Sequence, residues 1–146
     1  MKIEKFNMIS STDANYDRSS NPDRLNVFEL SPLGISWHYN GQDYKIINER
    51  RISAILLKNK IEIALVEAPF DKSYNNKAYI VNACGEIVWN IKESFLAKYR
   101  NIYDVNFYYP FYQSTDLYYY VIINNLDFRF FVSTTTREIG ELIESR

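Results

Sequence analysis

An Asn-Gly pair at residues 40–41 stands between two segments in which apolar and polar residues alternate, Ile35-Ser36-Trp37-His38-Tyr39 and Gln42-Asp43-Tyr44-Lys45-Ile46-Ile47. Both turn residues tolerate positive φ, which the tight turn matching strand twist requires, so this is the strongest hairpin signal in the chain. Pairing outward from the turn sets Tyr39 opposite Gln42, Trp37 opposite Tyr44 and Ile35 opposite Ile46. Ile35, Trp37, Tyr39, Tyr44 and Ile46 then share one face.

The rest of the chain repeats the theme of short apolar runs bounded by turn residues. Residues 1–9 are expected either to add a strand to the main sheet or to stay loose, and Leu25–Leu30 reads as a strand. Ile52–Leu57 and Ile61–Val66 flank Lys58-Asn59-Lys60 as a second hairpin. A longer connection over 67–77 follows. Residues 78–81 and 86–91 flank Asn82-Ala83-Cys84-Gly85 as a third hairpin, with Gly85 as the left-handed residue. Lys92–Asn101 is the best helix candidate, with Ser94 as a candidate cap. Asp104–Tyr112 is a strand that Pro110 confines to an edge or a bulge. It pairs with Leu117–Ile123, which turns through Asn124-Asn125 onto Leu126–Val132. That turn sets Ile123 against Leu126, Val121 against Phe128 and Tyr119 against Phe130 on a core face. Ile122 with Asp127, Tyr120 with Arg129, and Tyr118 with Phe131 lie on a mixed face. For residues 138–143 a last strand is preferred to a helix, because Gly140 weakens a short helix. These elements predict a mainly antiparallel β fold, a sandwich or strongly curled sheet built of hairpins, with one or two short helices. A length of 146 residues suits a single domain over 1–146. The polar stretch 10–23 is expected to be a loop or mobile arm.

Charge and motifs narrow the chemistry. Lys and Arg number 17 against 18 Asp and Glu, a net charge of -1. That balance argues against the nucleic-acid backbone or an anionic membrane as main partner. Glu4, Lys5 and Asn7 interrupt any secretory apolar stretch, and no run approaches the ~18 apolar residues of a membrane helix. A single cysteine, Cys84, allows no internal disulfide. The expectation is a soluble, cytoplasmic protein. The lone histidine, His38, reads as an exposed strand residue and Cys84 as a structural one. The chain lacks the Cys and His complement of a structural zinc site, a calcium-loop motif and a phosphate-cradling glycine spacing. The carboxylates are scattered. No catalytic, metal or cofactor constellation is expected.

What stands out is aromatic content. Residues 107–112 and 118–120 hold eight aromatic side chains, more than one core face accepts. Strict alternation puts Val105, Phe107, Tyr109 and Phe111 on one face and Tyr108 and Tyr112 on the other, with Tyr118, Tyr120 and Arg129 on the mixed face of the next hairpin. Tyrosine combines a large apolar area with a hydroxyl that tolerates water, and Tyr and Arg are enriched at interface hot spots. Tyr108, Tyr112, Tyr118, Tyr120 and Arg129 are therefore the candidate partner-binding residues. Two alternatives stand beside this. A helix or second sheet covers the face, or the tyrosines stack the bases of a single-stranded nucleic acid; thin basic clusters disfavour the latter. An uncharacterised enzyme or small-ligand carrier using a pocket between sheets is a further reading.

Tyr79-Ile80-Val81-Asn82-Ala83-Cys84-Gly85-Glu86-Ile87-Val88-Trp89 resembles the strand, glycine turn and tryptophan strand of many small bacterial β-proteins. Phe128-Arg129-Phe130-Phe131-Val132 followed by Thr136-Arg137-Glu138-Ile139 is similar to their closing strand and turn, except that Arg137 stands where glycine is expected. Some of these are immunity proteins of bacterial toxin systems. The resemblance implies a non-catalytic protein that binds one cognate toxin and blocks it.

Overall fold

The computed structural model describes residues 1–69 and 75–145. The order of elements is β1 (Glu4–Ile9), α1 (Val27–Leu30), β2 (Gly34–Tyr39), β3 (Gln42–Ile47), β4 (Ile52–Leu56), β5 (Glu62–Glu67), β6 (Lys77–Asn82), β7 (Ile87–Asn90), α2 (Ile91–Lys98), β8 (Val105–Gln113), β9 (Asp116–Ile123), β10 (Leu126–Ser133) and β11 (Glu138–Glu144). The strands form three antiparallel sheets, β1-β2-β3, β4-β5-β6-β7 and β11-β10-β9-β8. The chain is thus mainly antiparallel β with two short helices. Part of the connection expected over 67–77 lies outside the described residues.

The β4–β7 sheet is the middle layer, because its two faces belong to two different cores. Ala54, Ile63, Leu65, Tyr79 and Val81 pack against Ile35 and Trp37 of the first sheet. Ala64, Val66, Ala78 and Ile80 pack against Phe107, Tyr119, Val121 and Phe130 of the third sheet, with Ile91 and Phe95 of α2. A strand dry on both sides has no use for polar alternation. This is why Ile63–Val66 and Ala78–Val81 read as unbroken apolar runs.

Two asparagine turns fix register. Asn40 and Gly41 have φ of 50° and 80°, and β2 pairs β3 as Tyr39–Gln42, Trp37–Tyr44 and Ile35–Ile46. Asn124 and Asn125 have φ of 51° and 66°, and β9 pairs β10 as expected from Ile123–Leu126 to Tyr118–Phe131. Leu126 is an exception on its core face, being exposed. Residues 138–144 form a strand. Arg137, where glycine is expected, has φ of 61°, a conformation that favours glycine. Its guanidinium bonds Glu62 at 3.0 Å and lies 5.6 Å from the Trp89 ring centroid.

Three expectations are corrected. Leu25–Leu30 is not a strand: Val27–Leu30 is a helical turn, because Asn26 and Glu29 form a reciprocal capping box, Glu29 N–H to Asn26 Oδ1 at 2.8 Å and Asn26 N–H to Glu29 Oε1 at 3.1 Å. The longer helix starts at Ile91 and ends at Lys98, and Asn90 caps it, accepting from Glu93 N–H at 3.0 Å. Ser94 instead accepts the Trp89 indole N–H at 2.8 Å. The third correction concerns β8. The strand is both a sheet edge and bulged, and the bulge falls between Phe107 and Tyr109. One extra residue inverts every side chain beyond it. Pro110 and Tyr112 therefore lie on the inner face, opposite Tyr119 and Leu117, while Tyr109 and Phe111 lie outside, opposite Tyr120 and Tyr118.

Polar contacts also tie the layers together. The Tyr119 hydroxyl, wholly buried, donates to Tyr79 O at 3.2 Å, with Leu65 O at 3.5 Å. The Trp37 indole donates to Ala83 O at 2.7 Å. Asn76, 1% exposed, uses its carboxamide as a substitute strand: it donates to Phe107 O and accepts Phe107 N–H at 3.3 Å at the bulge. On the opposite edge of that sheet, Lys98 Nζ donates to Ile139 O at 2.6 Å. The Tyr99 hydroxyl there bonds both Gly140 O and Leu142 N–H at 3.0 Å. Replacing Asn76 by Ala strands a buried N–H and a buried C=O, so urea denaturation of Asn76→Ala should show a loss of about 2–4 kcal/mol.

Candidate partner-binding surface

The turn at Asn124–Asn125 and the bulge at Tyr108 together decide what the outer face of the third sheet shows. Cross-strand rows run Tyr109–Tyr120–Arg129–Ile143 and Phe111–Tyr118–Phe131. Tyr109 and Tyr120 stack almost in parallel, 5.1 Å between centroids and 2° between planes. Phe111 stacks on Tyr118 at 5.7 Å, and Phe131 meets Tyr118 edge-on at 6.0 Å. Tyr108, at the bulge, tilts against Tyr120 at 5.7 Å. Gly140 lets β11 pass close here, since a Cβ on it would lie 3.0 Å from the Phe131 Cβ.

Arg129 is centred among these rings. Its guanidinium lies 5.8 Å from the Tyr118 centroid, Nη1 reaches Glu144 O at 3.5 Å, and buried Nε meets no acceptor among the described residues. Tyr109 is 39% exposed, and Phe111, Tyr118, Tyr120, Ile122 and Phe131 are half-buried. Around them the hydroxyls are perturbed. Burial first, then the neighbouring Asp127 carboxylate, pushes Tyr120 up to about 12. The same two causes raise Tyr108. Burial also raises Tyr119 and Tyr79, the latter helped by Glu67, which accepts its hydroxyl at 2.6 Å.

Of the five residues picked from sequence, Tyr108, Tyr118, Tyr120 and Arg129 come together on this face. Tyr112 does not. Its hydroxyl accepts Lys58 N–H at 3.0 Å and its ring carries the Lys58 ammonium at 4.6 Å, in an open depression of about 230 Å³ beyond the sheet's inner side. Strict alternation missed Tyr109 and Phe111; Pro110 pointed to an edge or a bulge, and it sits unbroken in the ladder opposite Tyr119 while the extra residue falls at Tyr108.

The outer face of the first sheet makes a contrast. Asn7, Ser36 and Lys45 share a row there, followed by His38 and Asp43. His38 Nδ1 lies 2.8 Å from the exposed Asp43 carboxylate. Ser36 shares the face, but among the described residues it makes no hydrogen bond to His38. Among the described residues, Asp43 is the one carboxylate lining the shallow depression of about 220 Å³ around the imidazole. Cys84 is exposed in its turn rather than packed. Among the described residues no group of three His, Cys, Asp or Glu could hold a metal ion, and no helix is long and apolar enough to cross a membrane.

The fold is similar to that of a chain in the structure of Tne2 in complex with Tni2, with a TM-score of 0.72, 16% identity and 99% of each chain covered. No protein-family model and no curated protein matches the sequence.

The raised tyrosines set a sign for alkaline stability. A hydroxyl that holds its proton more tightly in the folded state contributes stability that is complete below its unfolded value of about 10 and is lost as pH rises above it. Denaturation midpoints should be flat up to about pH 10 and fall between about 10 and 12. Absorbance at the tyrosinate band should show a group of late-titrating tyrosines, fewer by one in Tyr120→Phe.

Proposed function

We propose that this chain is a non-catalytic protein-binding protein: a cytoplasmic immunity protein that binds a cognate bacterial toxin and neutralises it. The observation that carries this reading is the aromatic outer face of the β8–β11 sheet. A sheet face in contact with water is normally polar, as the first sheet's is, and a contiguous aromatic field with a central arginine marks a recognition surface. The fold's likeness to a chain solved within a two-protein complex supports a protein partner. So does the resemblance of the Tyr79–Trp89 and Phe128–Val132 stretches to immunity proteins.

The proposed contact residues are Tyr108, Tyr118, Tyr120 and Arg129, joined by Tyr109, Phe111 and Phe131. A specific interface of ordinary size covers about 800 Å² per partner, and two rows of aromatic side chains form its apolar centre. Tyr112 falls outside it, at the far side of the strand. The binding mode is occlusion: the rings fill hollows of the toxin and keep its substrate out, with no bond made or broken.

The direct test mixes purified protein with the toxin encoded beside it in the source genome. Co-elution and loss of toxin activity are expected. In calorimetry Tyr118→Ala and Tyr120→Ala should each weaken the complex by roughly 1–2 kcal/mol, while Tyr112→Ala leaves it within about 0.5 kcal/mol. Full affinity in both outer-face variants would overturn the surface.

A further inference from the structure

The arginine at the centre of the aromatic face is held in place by rings and left short of acceptors. A cation drawn against a protein is ordinarily matched there by a carboxylate or by carbonyls. Arg137 meets Glu62 at 3.0 Å, Arg51 gives Nε and Nη1 to Phe28 O and Glu49 O at 3.1 and 2.9 Å, and Lys98 reaches Ile139 O at 2.6 Å. Arg129 is half-buried on β10, yet among the described residues its one acceptor is Glu144 O, 3.5 Å from Nη1. Asp127, Glu141 and Glu144 stand on the same sheet, but none of their carboxylates comes within 4.0 Å of the guanidinium.

The nitrogens of that guanidinium are not alike. Nε is sealed from water, whereas Nη2 has no partner either but stays open to solvent. The group lies against the Tyr118 ring, 5.8 Å to the centroid, and Tyr118 is itself fixed by a stack on Phe111 at 5.7 Å and an edge contact with Phe131 at 6.0 Å. The ring stabilises the charge, and the side chain is ordered before any partner arrives. What remains to offer is the outer edge, Nη1 and Nη2, a planar pair of donors that fits the two oxygens of a carboxylate end-on. A phosphate dianion would meet a single cation amid the three carboxylates named above, a balance that favours a monoanion.

We propose that Arg129 receives the carboxylate of an aspartate or glutamate side chain presented by the protein partner. This rests on the reading of the face as the partner surface, but its chemistry can be read on the free protein.

The probe is Nα-acetyl-glutamate amide, titrated at constant ionic strength into the 15N-labelled protein. Neutral Nα-acetyl-glutamine amide is the control and inorganic phosphate the competing anion. The sealed Nε–H supplies its own signal, because shielding slows its exchange with water. A saturable shift of that signal is expected, with amide shifts around residues 118, 129 and 143–144, and glutamine should bind at least about ten-fold more weakly. Arg129→Lys keeps the charge and loses the fork, so it should keep the spectrum of the folded protein and weaken the glutamate response about five-fold or more. No shift at Arg129, equal binding of glutamine, tighter binding of phosphate, or an undiminished response in Arg129→Lys would each overturn the proposal. In the complex, Arg129→Lys should lower toxin affinity about ten-fold. Toxin affinity lost in Tyr118→Ala and Tyr120→Ala but kept in Arg129→Lys would leave the surface standing and overturn the carboxylate pairing. Toxin affinity kept in the tyrosine variants would overturn the surface, and with it the partner as the source of the carboxylate, whatever the glutamate probe shows.

Discussion

Both faces of the β4–β7 sheet are closed to water, and the placement of everything else follows from that. A doubly buried sheet needs a cover on each side. The β2–β3 hairpin with β1 supplies one, and the β8–β11 meander with α2 supplies the other. Each cover has one face committed to the core and one left over. The leftover face of the first sheet is solvated in the ordinary way. The leftover face of the third is not, and that difference has no explanation within the core, which is already filled by Phe107, Tyr119, Phe130 and Phe95.

Polar bonds then choose among the ways three greasy layers can slide. Hydrophobic burial is non-directional, so it sets which surfaces meet and leaves their alignment loose. The Tyr119 hydroxyl on the Tyr79 carbonyl, the Trp37 indole on the Ala83 carbonyl and the Asn76 carboxamide on Phe107 each have one satisfactory position. An unmet buried partner costs more than the bond contributes, so these buried contacts penalise misalignment sharply.

Legibility in the sequence tracked how local the deciding physics was. The registers of β2–β3 and β9–β10 were readable because Asn40-Gly41 and Asn124-Asn125 carry the turn in their own backbone preferences. The faces of Tyr118, Tyr120 and Arg129 followed from counting out from the second turn. Beyond the bulge the count failed for β8. Pro110 marks the strand as an edge, which it is, but says nothing of the extra residue at Tyr108, where Asn76 holds Phe107. The Val27–Leu30 turn was hidden for another reason: its apolar content resembles a strand, and only the Asn26–Glu29 exchange of hydrogen bonds reveals the helix. Whether the aromatic face lies open depends on the stacking of all three layers, which no local segment encodes.

The engaged edges of the third sheet have a consequence of their own. With Asn76 bonded at Phe107 of β8 and the Lys98 and Tyr99 side chains bonded along residues 139–142 of β11, a visiting strand finds part of each border already engaged. What that sheet offers to its surroundings is side chains more than main-chain ladders. Such a scaffold can change the chemistry of that face by point substitution while its backbone stays still.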